Sequence, residues 1–153
     1  MEYTKEHQAK APQTIHFDKD VFNPINGTEI RWLGGAGEFI NSRGTIMPLL
    51  YDMPILGLDI PRVDVCLITH DDNDHMSIPT LSDIKENCKR YVAPNYVADI
   101  MNSKGLKTEK CTIGDTFKVN DVSIKLTAAD HAWKNDYPKY GHHYDFEDYC
   151  GYW

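Results

Sequence analysis

Apolar and polar positions alternate through Thr28-Glu29-Ile30-Arg31-Trp32-Leu33, resume at Glu38-Phe39-Ile40-Asn41, and return in Thr45-Ile46-Met47 after a turn at Ser42-Arg43-Gly44. A period of two, punctuated by turn residues, predicts consecutive antiparallel strands. Pro48, Pro54 and Pro61 break the pattern over the next stretch, so residues 48–62 read as an irregular connection that could rim a pocket. The run Val63-Asp64-Val65-Cys66-Leu67-Ile68-Thr69 then reads as a buried strand.

Beyond residue 76 the period changes. Ser77 can cap, and Pro79 open, a helix with Leu81 and Ile84 at helical spacing that runs to about residue 87. A short strand over 90–93 comes next. Asn95 is placed to cap a second helix over 96–103, with Val97, Ile100 and Met101 on its apolar face and Gly105 as its terminator. Two further alternating runs, Thr116-Phe117-Lys118-Val119 and Val122-Ser123-Ile124-Lys125-Leu126-Thr127, flank Asn120-Asp121 and predict a hairpin that delivers His131 at a strand end. Residues 134–149 read as a polar, aromatic loop before a last strand opening at Cys150.

Composition narrows the function classes. A chain of 153 residues, 41% hydrophobic, suits one globular domain, expected over 28–153 behind a flexible arm at 1–27. The net charge of −7 disfavours a nucleic-acid partner, since no broad basic surface is available to displace counterions. No run approaches the ~20 apolar residues of a membrane span and no secretory h-region opens the chain, so the expected location is the cytoplasm. Cys66, Cys88, Cys111 and Cys150 occur singly, which points to neither a thiolate zinc site nor a disulfide framework.

The chemistry concentrates in His70-Asp71-Asp72-Asn73-Asp74-His75. Imidazole nitrogen and carboxylate oxygen are donors that Zn²⁺, Mn²⁺ and Fe²⁺ accept. Were the segment extended, His70 and Asp72 would face one ion, with Asp74 and His75 serving a neighbouring position. An EF-hand loop is disfavoured, because no glycine lies after Asp72 where its turn requires one. The plainer alternative is a solvated acidic loop ahead of a helix N-terminus. His142, His143, Asp145, Glu147 and Asp148 form a second polar cluster, read as solvated. Neither a phosphate-binding Gly-rich loop nor a Gly-x-Ser-x-Gly elbow is present.

These residues resemble a known family. Thr69-His70-Asp71-Asp72-Asn73-Asp74-His75 is similar to the His-x-His-x-Asp-His loop of the metallo-β-lactamase superfamily, with Asp72 standing in place of the second histidine. Trp32-Leu33-Gly34 resembles that family's early strand end. Ala129-Asp130-His131-Ala132-Trp133 resembles the segment carrying its next metal histidine, closest to the ascorbate-6-phosphate lactonase-like branch.

The resemblance implies an α+β fold, the αββα sandwich, here covering only its first half. It implies His70, Asp72 and His131 around a first ion, and Asp74 and His75 around a second, with Asp74 also the catalytic residue that orients the attacking hydroxide. The implied cofactor is Zn²⁺, one or two ions, with Mn²⁺ or Fe²⁺ admitted by the extra carboxylate. The implied activity is metal-dependent hydrolysis of a small lactone or ester-type substrate, phosphorylated or not. A phosphodiesterase and a non-catalytic metal-binding remnant are the alternatives. Because half the sandwich would be absent, Val65, Leu67 and Ile124 are expected on an exposed apolar face, to be covered by a second copy in a homo-oligomer or by a complementing C-terminal half.

Overall fold

The structure is a computed structural model that describes residues 19–34, 37–49, 62–131 and 141–153. The first alternating segments form an antiparallel meander: β1 (Thr28–Gly34), β2 (Gly37–Ser42) and β3 (Thr45–Leu49). Its tight turn needs two left-handed residues, Arg43 at φ 50° and Gly44 at φ 86°. A Cβ on Gly44 would also come within 3.2 Å of Pro24, so the position is closed to other residues twice over. Most of the expected 48–62 connection lies outside the described residues.

The packed chain begins before residue 28. A 3-10 turn at Lys19–Phe22 buries Val21 and Phe22, with the Phe22 ring edge-on to Phe39 at 5.4 Å. The Asn41 side-chain amide donates to Val21 O and Asn23 O at 2.7 and 2.8 Å, satisfying a buried polar group while pinning this segment to β2. The expected arm therefore does not extend through residues 19–23, and residues 1–18 lie outside the described set.

The central layer is parallel. β4 (Cys66–Leu67) pairs with β5 (Tyr91–Pro94), which pairs with β6 (Thr108–Cys111). Both faces of β4 and β5 are apolar. Cys66, Ile68, Tyr91 and Ala93 pack with Leu81, Val97, Ala98 and Met101 under the helices, while Val65, Leu67 and Val92 pack with Met47, Val119 and Ile124. A strand sandwiched in this way has no polar side, hence the near-continuous apolar run. The expectation that Val65, Leu67 and Ile124 are exposed is corrected: all three are buried, because the hairpin β7 (Thr116–Val119) and β8 (Val122–Ala128) covers that face.

Two helices cover the other face. In α1 (Ile78–Asp83) the Ser77 hydroxyl accepts from Thr80 N, as expected of a cap, but the helix ends at Ile84, whose amide reaches both Thr80 O and Ser82 O. In α2 (Asn95–Ser103) the cap position is Pro94 and Asn95 is already helical, a one-residue shift from the expected start. Gly105, at φ 81°, turns the chain so that Leu106 N returns to Met101 O at 3.0 Å. The strand β6 was not expected, since Thr-Glu-Lys-Cys is mostly polar; the Asn102 side chain positions it by bonding both Thr108 N and Thr108 O.

The last strand, β9 (Cys150–Tyr152), pairs antiparallel with β8 as Leu126↔Tyr152 and Ala128↔Cys150. It also reaches the central layer. Cys150 N donates to Thr69 O at 3.1 Å, and the Tyr152 hydroxyl lies 2.9 Å from Ile68 O and 3.1 Å from Val92 O. The carboxyl ends of β4 and β8 are thereby held side by side.

Asp64 fastens the meander to the parallel layer. Its Oδ2 accepts from Ile46 N at 2.9 Å, its own amide donates back to Ile46 O at 2.9 Å, and Lys89 Nζ lies 2.8 Å from Oδ1. Burial pushes this carboxyl up, but the bonds from Lys89 and Ile46 and the nearby Lys89 and Arg62 charges outweigh it, so it titrates below its ordinary value. Asp64→Ala should cost about 2–3 kcal/mol in urea unfolding, because a buried amide loses its acceptor. In the parent that contribution is full above the unfolded value of about 3.9 and disappears as pH falls through the lower folded value. An unchanged urea midpoint in Asp64→Ala would contradict this role.

Candidate metal centre

His70 leaves the end of β4 with its Nδ1 2.9 Å from Thr69 Oγ1. That contact fixes the ring, leaving Nε2 fully buried and without a hydrogen-bond partner among the described residues. Asp72 Oδ2 lies 3.5 Å from His70 Nε2 and 3.3 Å from His131 Nε2. His131 arrives three residues after β8. The donor atoms of His70, Asp72 and His131 all lie within 4.8 Å of one another.

The acidic loop is not extended. His75 N and Met76 N both donate to Asp72 O at 2.8 Å, closing a turn over 72–76. The simple alternation expected for this loop therefore does not apply. The turn instead folds the His75 ring back to 4.0 Å from the His70 ring, with Asp74 Oδ2 3.7 Å from His75 Nε2. Asp74 and His75 thus lie beside the three convergent donors, and Asp74 is the more exposed of the two.

Burial, then repulsion from His75, pushes His70 down to about 4, against the pull of the Asp72 carboxylate. His75 is also lowered by burial, opposed by Asp74 and Asp72. A neutral imidazole has a lone pair to offer. In the tautomer that carries its hydrogen on Nδ1, directed at the threonine hydroxyl, that lone pair falls on Nε2, the buried atom facing Asp72. Two imidazoles and a carboxylate, with one imidazole nitrogen buried and unsatisfied among the described residues, fit a divalent cation.

The segment 141–149, expected to be solvated, instead docks against this cluster. His142 pairs with Asp148 at 2.7 Å and stacks on Tyr96 of α2, centroids 3.7 Å apart and planes within 10°. The Tyr144 hydroxyl donates to Asp71 Oδ2 at 2.7 Å. Tyr149 lies parallel to His131, 5.1 Å between centroids. Only His143, Asp145 and Glu147 of the expected polar cluster are exposed. Asp71, Tyr144 and Tyr149 were missed from sequence; the available signal was tyrosine density in a stretch otherwise read as polar. Trp133, next to His131, lies outside the described residues.

Helices on one face of a parallel sheet, an antiparallel sheet on the other, and a His–carboxylate cluster at the strand ends define an α+β metallo-β-lactamase-type fold. The sequence signature of the beta-lactamase superfamily domain matches residues 22–152, and the chain belongs to that family. Among curated relatives, the Escherichia coli O139:H28 protein named probable L-ascorbate-6-phosphate lactonase UlaG is 31% identical over 71 residues, 42% of this chain and 20% of that protein. Among solved structures, CmlA, a diiron β-hydroxylase from Streptomyces venezuelae, superposes with TM-score 0.66 at 17% identity, over 84% of this chain and 27% of that one. Igni18, a metallo hydrolase from Ignicoccus hospitalis KIN4/I, gives TM-score 0.58 at 19% identity, over 82% of this chain and 54% of that one. At such identities the likeness is one of fold. The match spans about a fifth of the length of the curated relatives.

In metal-free protein, NMR titration should place the His70 ring midpoint near 4, far below the ordinary 6.5. Since the folded value lies below the unfolded one, stability should be full above 6.5 and fall as pH drops from there through about 4. A His70 midpoint at or above 6.5 would contradict the burial that defines the site.

Proposed function

We propose that this chain forms the metal-holding portion of a metal-dependent hydrolase, with His70, Asp72 and His131 around a first divalent ion and Asp74 and His75 around a second. The observation that carries the reading is the buried Nε2 of His70, which has no hydrogen-bond partner among the described residues and faces Asp72 beside His131. A bound ion would supply Lewis acidity and bring the pKa of water toward neutrality. The protein's own part is to hold His70 through Thr69, keep its ring neutral, and present Asp74 as a partly exposed carboxylate able to orient water and accept a proton. Zinc is the first expectation. Asp72, by replacing an imidazole donor with an oxygen, also suits manganese or iron.

The substrate reading is a small lactone or ester, phosphorylated or not, supported by the name of the 31%-identical relative. We place the protein in the cytoplasm, a reading supported by four cysteines scattered singly along the sequence, a spacing unlike that of a disulfide framework. Among the described residues, no helix is long and apolar enough to cross a membrane.

Elemental analysis of purified protein should find one to two divalent ions per chain, with a sharp loss in His70→Ala and in His75→Ala. Full metal content in both variants would remove the acidic loop from the site. Lactone and phosphodiester turnover, measured with and without a co-expressed second half of the fold, then separates the lactonase, phosphodiesterase and non-catalytic readings. Metal bound stoichiometrically with neither substrate class turned over in either arrangement would leave the metal-binding remnant.

A further inference from the structure

Asp71 lies between two proposed ligands but is not one of the donors that converge on His70. Its side chain is buried, at 3% exposure, and its Oδ2 accepts from the Tyr144 hydroxyl, itself buried, across 73 residues of sequence. A carboxylate so far from water is unfavourable without donors, and a phenol at 2.7 Å is a strong one. Tyr144 is in turn held by its surroundings: edge-on to Tyr96 at 5.7 Å and to His142 at 5.0 Å, with His142 fixed by Asp148 and stacked on α2. A rigid anchor on one helix thus grips one atom of the acidic loop.

Asp71 and Asp72 share a peptide unit. Fixing the Asp71 carboxylate in the interior therefore restricts the torsions that aim Asp72, whose Oδ2 must lie between His70 and His131. Loss of the Tyr144 bond would release that hold on the Asp71 carboxylate, and with it one constraint on how Asp72 is aimed. Tyr149, on the same segment, lies flat against His131 and limits its ring from the side.

We propose that Tyr144 is a positioning residue for the metal centre, acting through its hydrogen bond to Asp71 to aim the Asp72 carboxylate. This rests on the metal-holding reading above. Outer partners of this kind typically alter metal affinity by about 10–100-fold.

The test is Co²⁺ affinity, by chelator competition, together with the visible ligand-field spectrum, on the full chain. Tyr144→Phe deletes only the hydroxyl and should weaken cobalt binding by about 10–100-fold and shift the spectrum. Asp71→Ala should do the same, which keeps the test intact if Tyr144→Phe folds poorly, and the double variant should lose no more than either alone. Asp71→Asn keeps an acceptor oxygen and should retain the parent spectrum. Phe146→Ser, exposed on the same segment, should match the parent throughout. Parent-like affinity and spectrum in Tyr144→Phe, with binding lost in His70→Ala, would overturn the positioning role and leave the site standing; so would additive losses in the double variant, or an Asp71→Asn as impaired as Asp71→Ala. Equal cobalt binding by the parent and His70→Ala would overturn both readings.

Discussion

A ring nitrogen removed from water without a hydrogen-bond partner is destabilising by about 1–3 kcal/mol, yet His70 Nε2 occupies such a position among the described residues. Nothing in the local sequence relieves it. Thr69 takes the other ring nitrogen, and the tightness of the 72–76 turn brings a second imidazole, His75, against the first rather than a donor. A cluster of two imidazoles and a carboxylate within 4.8 Å is poorly accommodated empty and well accommodated around a cation, which would satisfy all three at once. The remaining features of the centre arise from the need to keep that nitrogen where it is.

The fold does so through strand ends. β4 is only two residues long, but it is bonded to β5, clasped to the meander through Asp64 and Ile46, and tied to β9 at Thr69. Because β9 also pairs with β8, the end of β8 that delivers His131 is fixed relative to the end of β4 that delivers His70. Two apolar clusters on opposite faces of β4 and β5 prevent the strand from rotating, since a turn about its axis would exchange Cys66 and Ile68 with Val65 and Leu67. The site is thus rigid at its base, while the acidic turn and the 141–149 segment close over it.

Much of this was legible in the amino-acid pattern where local rules suffice. The meander, the Asn120-Asp121 hairpin, the final strand and the clustering of His70, Asp72 and His131 are all products of period-two alternation, turn chemistry and motif resemblance. The features that escaped depend on contacts distant in sequence. Asp71 reads as one more solvated acid until Tyr144 is brought to it, and His142 reads as a loop histidine until Tyr96 lies beneath it. Val65 and Leu67 looked uncovered because the parallel layer's second face was assigned to an absent half, whereas β7 and β8 of the same chain supply its cover. β6 escaped for the converse reason: a mostly polar, solvent-facing sequence is held as a strand by Asn102 and by pairing with β5.

Anomalous diffraction from crystals of the zinc-replete protein, collected at the zinc absorption edge, measures the central claim directly. A bound ion at this centre should give a peak about 2.0–2.2 Å from His70 Nε2, an Asp72 oxygen and a His131 ring nitrogen. A peak placed elsewhere, with the His70 imidazole unligated and its Nε2 bonded to a protein donor or to water, would contradict it.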